Sequence, residues 1–170
     1  PEQSHPSVRE ALTGVEGRIR RLTGRSEGGA RPEHLHRELG EILYSGCGVS
    51  RTAEGLARAV QQVRDLRQTF WQEVRVPTHD HRLNPELEQA GRVADFLELA
   101  ELMCLDALDR TESAGAHFRE EFQTPEGEAL RDDHQWCSTS AWATDEDGRH
   151  RRHLEPLTFD RVRLTTRDYR

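Results

Sequence analysis

Residues 111–133 read Thr111-Glu112-Ser113-Ala114-Gly115-Ala116-His117-Phe118-Arg119-Glu120-Glu121-Phe122-Gln123-Thr124-Pro125-Glu126-Gly127-Glu128-Ala129-Leu130-Arg131-Asp132-Asp133. The chain changes character across this stretch. Upstream, apolar residues recur at helical spacing; downstream, they alternate as in short strands. Glu112, Ser113, Gly115, His117, Arg119 and Glu120 crowd into nine positions. That density of donors and acceptors exceeds what a spacer needs, so the segment either builds a site or ties two architectures together. Arg131, Asp132 and Asp133 close it, with residue types suited to pairing with one another or capping a turn.

Working back from the joint, Asn84-Pro85-Glu86 combines a capping residue, a proline at the first helical position and an acid in the first turn. The helix it opens should run to about Arg110. Leu87, Ala90, Ala94, Leu97, Glu101 and Leu105 lie on one side, and Val93, Phe96, Ala100, Met103, Cys104 and Ala107 on the other. Apolar residues nearly all round predict a central helix. Before it, Ser50 or Thr52 can cap a helix carrying Leu56, Ala59, Val60, Val63, Leu66, Phe70 and Val74, which Pro77 stops. A shorter helix from Pro32 to about Tyr44 buries Leu35, Leu39, Ile42 and Leu43, and Gly46 and Gly48 close it. The first helix, His5 to Gly24, repeats Val8, Leu12, Val15, Ile19 and Leu22 and is weakened by Gly14 and Gly17. Ser26, Gly28 and Gly29 link it to the next.

Downstream, Trp136, Ser138, Ser140 and Trp142 alternate with small residues, Asp145-Glu146-Asp147-Gly148 forms a turn, and His150 to Leu154 returns as a partner strand. Leu157, Phe159, Val162 and Leu164 predict a last extended piece before Tyr169. The expected architecture is therefore mainly α: an antiparallel three- to four-helix bundle followed by a short C-terminal β-hairpin or extended appendage. It divides into an N-terminal helix and linker (1–30), a helical bundle (31–110), and the polar joint with its β-rich appendage (111–170), together one structural domain. Leu39, Ile42, Leu56, Val60, Val63, Phe70, Ala94, Leu97, Met103 and Leu105 are the expected core.

Composition narrows the function. The chain has 170 residues, 34% hydrophobic and 32% charged, which predicts a modest core. Its 24 basic residues are all Arg, and its net charge is −7. Residues 149–170 carry seven Arg against three acids, whereas residues 84–133 carry fourteen acids against four Arg. The basic tail is thus expected to lie on acidic surface of its own chain or a partner, and a nucleic-acid role is excluded by the offsetting acids and the lack of interleaved aromatics. Cys47, Cys104 and Cys137 are widely spaced, which argues for a reducing compartment and against a disulfide scaffold or cysteine metal site. No metal site is expected among the histidines either, because two-residue spacing on a helix puts His34 and His36 on different faces. His79, His81, His150 and His153 read as solvated surface. Trp136 and Trp142 are expected to pack the hairpin against the helices. No apolar run is long enough to insert in a membrane, and a start at Pro1 without Met reads as an excised piece of a longer chain.

From about His36 onward the chain resembles the C-terminal domain of the flavoprotein subunit of succinate dehydrogenase and fumarate reductase. The pieces that carry the resemblance are His36-Arg37-Glu38-Leu39-Gly40, Cys47-Gly48-Val49-Ser50-Arg51 with Glu54-Gly55-Leu56, and Leu83-Asn84-Pro85-Glu86-Leu87. They continue through Gly91 to Ala100, Glu112-Ser113, Gly115 to Glu120, Glu126-Gly127-Glu128, Arg131-Asp132-Asp133, Leu154 to Leu157, Val162 to Thr165 and Tyr169-Arg170. Several motifs in the right order and spacing make the match specific. Two departures stand out: many members have Arg where this chain has Ala114, and Glu-Asn where it has His134-Gln135.

The resemblance implies a longer, bacterial respiratory enzyme of electron transport and the tricarboxylic acid cycle, interconverting succinate and fumarate on FAD. The flavin and capping domains would lie upstream, and an iron-sulfur subunit would be a partner. The assembly would sit in the cytoplasm, peripheral to the inner side of the cell membrane. No dinucleotide fingerprint occurs here, so this segment is expected to bind no cofactor, to supply no catalytic residue and to be inactive alone. Glu112, Ser113, Gly115, His117, Arg119, Arg131, Asp132 and Asp133 are then interdomain and family-motif residues, with His117 in a hydrogen-bonded hub. The contrasting reading of the same sequence is a stand-alone helical protein-interaction module.

Overall fold

The computed structural model describes residues 5–25, 27–77, 83–145 and 147–165. Four long helices form in the predicted order: α1 (Pro6–Thr23), α2 (Pro32–Gly46), α3 (Ala53–Glu73) and α4 (Pro85–Asp109). Their starts follow local chemistry. Proline occupies the first turn of α1, α2 and α4. Thr52 Oγ1 accepts from Gly55 N at 3.0 Å, and Asn84 Oδ1 accepts from Leu87 N at 3.0 Å, so each cap satisfies an amide that a first turn leaves free.

Three end contacts set the helix directions. Ala30, before α2, donates to Glu73 O at the end of α3 (2.9 Å). Arg31 pairs with Glu86 in the first turn of α4 at 3.2 Å, and Cys47, just past α2, packs on Cys104 late in α4. Consequently α3 runs antiparallel to both its sequence neighbours, and α2 and α4 run the same way. Leu35, Leu39, Val63, Leu66, Phe70, Val93, Ala94 and Leu97 fill the main core, and Ala59, Val60 and Cys104 form a smaller cluster nearer the joint. Gly46 lets α2 end close on α3, since a β-carbon there would lie 2.7 Å from that of Ala59.

Most of the expected core is buried, with three exceptions. Ile42 and Leu105 are only partly covered, and Met103 is 48% exposed. Met103 lies with Phe96 and Leu99 on a largely exposed side of α4, touched at Phe96 by the His36 ring of α2 (5.5 Å), so this helix is central through its contacts with α1, α2 and α3 without being buried all round. The stripe of α1 departs further from expectation: Leu22 is buried, but Leu12, Val15 and Ile19 are 56%, 56% and 42% exposed. The reason is that α1 meets the bundle mainly near its C-terminal end, where Arg18 bonds Gly91 O and Asp95 and Arg21 lies over Trp71. Val74 falls just outside α3, whose last residue is Glu73.

Beyond the bundle, β1 (Ser50–Arg51) and β2 (Phe118–Arg119) form a two-residue parallel pair that the sequence does not announce. Then α5 (Asp133–Trp136) precedes the antiparallel hairpin of β3 (Ser138–Thr144) and β4 (His150–Pro156), paired from Ser138–Pro156 to Thr144–His150. Trp136, expected in the strand, is instead the buried last residue of α5, because Asp132 Oδ1 accepts from His134 N and Gln135 N (both 3.1 Å) and starts a helical turn there. At the hairpin tip, Asp145 Oδ1 accepts from Asp147 N (3.1 Å) and Arg149 N (2.8 Å), and Gly148 takes φ +77°. Residues 157–165 form no strand, and Leu157, Phe159, Val162 and Leu164 are exposed: beyond the Leu157 N bond to Cys137 O, no strand among the described residues pairs with them. His79, His81, Ser26, Glu146, Tyr169 and Arg170 lie outside the described residues.

The hairpin docks on the acidic flank of α4 by polar contacts. Trp142 Nε1 donates to Asp106 Oδ1 at 2.7 Å, Arg152 pairs with Asp109, and His150 Nε2 lies 3.9 Å from Glu101 Oε1. Arg152 also stands over the Trp136 ring at 5.0 Å. So part of the basic tail does lie on acidic surface of its own chain.

Candidate functional site

The joint begins where α4 ends and must dispose of that helix's last carbonyl groups. Arg119, 3% exposed, does so: its Nη1 donates to Ala107 O and Leu108 O, both at 3.0 Å, and reaches Arg110 O at 3.3 Å. Its Nε donates to Glu121 Oε2 at 3.0 Å, and Glu121 Oε1 in turn accepts from Ala53 N at 2.6 Å. A cation therefore sits at the negative end of α4 and an anion at the positive start of α3, joined to each other. Burial works to raise the Glu121 carboxyl, but the Ala53 and Glu121 amides and the Arg119 guanidinium outweigh it and hold it below the ordinary glutamate range.

Glu112 and Ser113 are buried beside Arg119. Glu112 Oε1 accepts from Arg110 Nε and Nη2 at 2.8 and 2.6 Å, and its Oε2 accepts from Asp132 N at 2.8 Å. Ser113 Oγ donates to Arg119 O (3.0 Å) and accepts from Arg119 N (2.8 Å), while its N donates to Leu130 O (2.9 Å). Between them Gly115 takes φ +59° in a tight turn closed by reciprocal backbone bonds of Ala114 and His117.

His117 faces Arg110 O through Nε2 (3.0 Å) and Arg51 Nη1 through Nδ1 (3.3 Å). A carbonyl only accepts and a guanidinium only donates, so the ring is neutral with its proton on Nε2. Burial first, then the charges of Arg51, Arg110 and Arg119, keep its pKa below the ordinary histidine value despite the Arg110 carbonyl. Arg51 also donates to Gly48 O at 2.6 Å, which anchors the loop after α2 to the joint.

Of the eight residues expected to act together, Glu112, Ser113, Gly115, His117 and Arg119 surround one another. Arg131 and Asp133 stand apart as an exposed bidentate pair (Nε–Oδ1 2.6 Å, Nη2–Oδ2 2.7 Å), and Arg131 Nη2 also donates to Thr165 O at 3.2 Å. Asp132 links the groups by its amide while its carboxylate caps α5. Sequence reasoning left out Arg110 and Glu121, and it took Arg51 only as part of a matching motif. The one available signal was the motif at residues 47–51; nothing local marks Glu121. A second buried carboxylate, Glu101, stood in the apolar stripe of α4, and it meets Arg64 Nε and Arg67 Nη1, both at 2.7 Å. An open groove of about 510 Å³ borders the joint, lined in part by Ser113, Ala114, Phe118, Glu128, Arg131 and Asp133. Glu112, Ser113, His117 and Arg119 all hydrogen-bond to the chain itself, an arrangement that holds the end of α4, the joint and the loop after α2 together.

The family model described as "Fumarate reductase flavoprotein C-term" matches residues 36–169. The Escherichia coli fumarate reductase flavoprotein subunit is 29% identical over 160 residues, 94% of this chain and 25% of that protein. A succinate dehydrogenase flavoprotein subunit of Bacillus subtilis is 27% identical over 106 residues, 62% of this chain and 17% of its own. Among solved structures, an E. coli quinol fumarate reductase superposes with a TM-score of 0.79 at 27% identity, covering 96% of this chain and 27% of that one. The chain thus spans about a quarter of the length of the fumarate reductase subunit it matches. With most of α2, all of α3 and α4, the joint motif and the docked hairpin within the matched span, the chain belongs to the family of fumarate reductase flavoprotein C-terminal domains.

Proposed function

We propose that this chain serves as the C-terminal domain of an FAD-dependent subunit that interconverts succinate and fumarate in a bacterial electron-transport complex. Within it the domain is a structural, interdomain and subunit-contact module: it buttresses upstream flavin and capping domains and helps form the surface that meets an iron-sulfur subunit. The assembly works in the cytoplasm at the inner side of the cell membrane, in keeping with a chain in which no described helix is long and apolar enough to cross one. The 31–110 bundle and the 111–170 joint and hairpin act as one unit through the Arg119–Glu121 link. Glu112, Ser113, Gly115, His117, Arg119, Arg131, Asp132 and Asp133 serve it as positioning residues rather than catalytic ones.

This chain's residues do not fit the flavin itself. A dinucleotide phosphate needs free amides at a strand-to-helix turn. The described strand-to-helix turn here, from β1 into α3, already spends Ala53 N on Glu121 and Gly55 N on Thr52. A carboxylate in that position would also repel a phosphate.

One observation carries the structural role: His117, the joint's only histidine, has both ring nitrogens engaged by its own chain. In the full-length flavoprotein, His117→Asn should leave flavin content unchanged and kcat within about twofold, because the residue touches no reacting atom, while thermal stability falls. A folded, flavin-loaded variant that lost kcat by about a hundredfold with KM unchanged would overturn the assignment.

A further inference from the structure

Cys47 and Cys104, 57 positions apart in sequence, meet where α2 ends beside the last turns of α4. Both thiols are free. Cys104 is fully buried in a small cluster with Ala59 and Val60, whereas Cys47 is partly exposed and packs against that cluster from the end of α2. Arg51, four residues after Cys47, brings a positive charge to the same corner.

The geometry points to Cys47 as a peroxide-modifiable thiol with Cys104 as its resolving partner, forming a reversible Cys47–Cys104 disulfide. The electrostatics support the same division of labour. The neighbouring Cys104 thiol, opposed by burial and aided by Arg51, brings the Cys47 thiol down to about 7. Cys104 moves the other way: its neighbour Cys47, burial and the nearby charges of Cys47 and Glu101 push its thiol up, against Arg51. A thiolate on the accessible member is the form that attacks peroxide first, and once Cys47 is a neutral sulfenic acid its charge no longer holds the proton on Cys104, which frees that sulfur for the second step.

In the first step the Cys47 thiolate attacks one oxygen of hydrogen peroxide, breaking the O–O bond and giving Cys47 sulfenic acid and hydroxide. In the second, the Cys104 sulfur attacks the sulfenic sulfur, the S–OH bond breaks, and the departing hydroxide leaves as water with the Cys104 proton. The first hydroxide takes up the proton that Cys47 had released, so two thiols and one peroxide give one disulfide and two waters. The sulfurs must close from packing contact to a bond of about 2.05 Å. The product would tie α2 covalently to α4 beside Arg51, the residue that holds His117. Oxidation at this corner thus reaches the polar joint directly, whichever activity the longer chain has.

The test is differential alkylation and peptide mapping of the native full-length protein, with Cys137 as internal reference. At neutral pH iodoacetamide should modify Cys47 about five- to tenfold faster than Cys137. Low peroxide should yield a Cys47–Cys104 cross-linked peptide that dithiothreitol removes. In a Cys104→Ser variant, dimedone should capture Cys47 sulfenic acid and no disulfide should form. Wild-type protein in which Cys47 reacts no faster than Cys137, or in which peroxide carries Cys47 to the sulfinic acid without a disulfide, would overturn the proposal; both readouts need only the wild type.

Discussion

Replacing Arg119 by Met keeps most of the aliphatic stem and removes the group that closes the end of α4. Three charge-assisted hydrogen bonds are at stake, since the two hydrogens on Nη1 serve the Ala107, Leu108 and Arg110 carbonyls and the Nε hydrogen serves Glu121. At roughly 1.5–3 kcal/mol each, partly offset by no longer burying a guanidinium, the net loss should be about 3–4 kcal/mol. Urea unfolding followed by far-ultraviolet circular dichroism and tryptophan fluorescence measures it, with the slope against urea checked for two-state behaviour. Glu121→Gln should cost less, about 1 kcal/mol, because its side chain is 39% exposed and water can replace part of what it loses. Since the two side chains act on one another, the double variant should fall short of the sum by about 0.5–1.5 kcal/mol. A loss below about 1 kcal/mol for Arg119→Met, or strictly additive effects, would refute the idea that one ion pair spans the ends of α3 and α4.

Two further outcomes follow from the same contacts. His117 has a folded pKa below its unfolded value of about 6.5, so the unfolded chain binds more protons just below that pH. Its contribution is therefore complete above about pH 6.5 and is lost as pH falls through the depressed folded value. Urea midpoints across pH 5 to 8 should show this slope for the wild type and a flatter one for His117→Gln, and an unchanged slope would count against the half-buried neutral ring. Trp142→Phe removes the indole donor to Asp106 while keeping an aromatic ring, and should destabilise hairpin docking by about 1–2 kcal/mol. Amide exchange in β3 and β4 would rise accordingly, and unaltered protection would place the docking energy elsewhere.

Much of the architecture was legible because its causes are local. Pro6, Pro32, Thr52 and Asn84-Pro85 each act within one turn of themselves, and the helices begin where those residues stand. Asp145 and Gly148 likewise make the hairpin turn from within it. Trp136 was misplaced for the same reason in reverse: alternation suggested a strand, but the Asp132 carboxylate two to three residues upstream captured the amides first. The density of polar residues in 111–120 marked the joint. Their division of tasks was not visible, because it depends on partners that no spacing reveals.

The sequence by itself determined which residues share a helix face, where elements start and stop, and which motifs tie the chain to its family. Tertiary structure decided which faces are covered. Leu12, Val15 and Ile19 repeat as regularly as Leu35 and Leu39, yet stay exposed because only the end of α1 reaches the bundle, and Met103 is exposed while adjacent Cys104 is fully buried. It also decided the long-range pairings: Glu121 bonds Ala53 across 68 residues, and Arg51 reaches His117 across 66. Periodicity reports the direction of a side chain relative to its own helix axis. Only the packing of one axis against another supplies the neighbour that buries it, takes its charge or shares its proton.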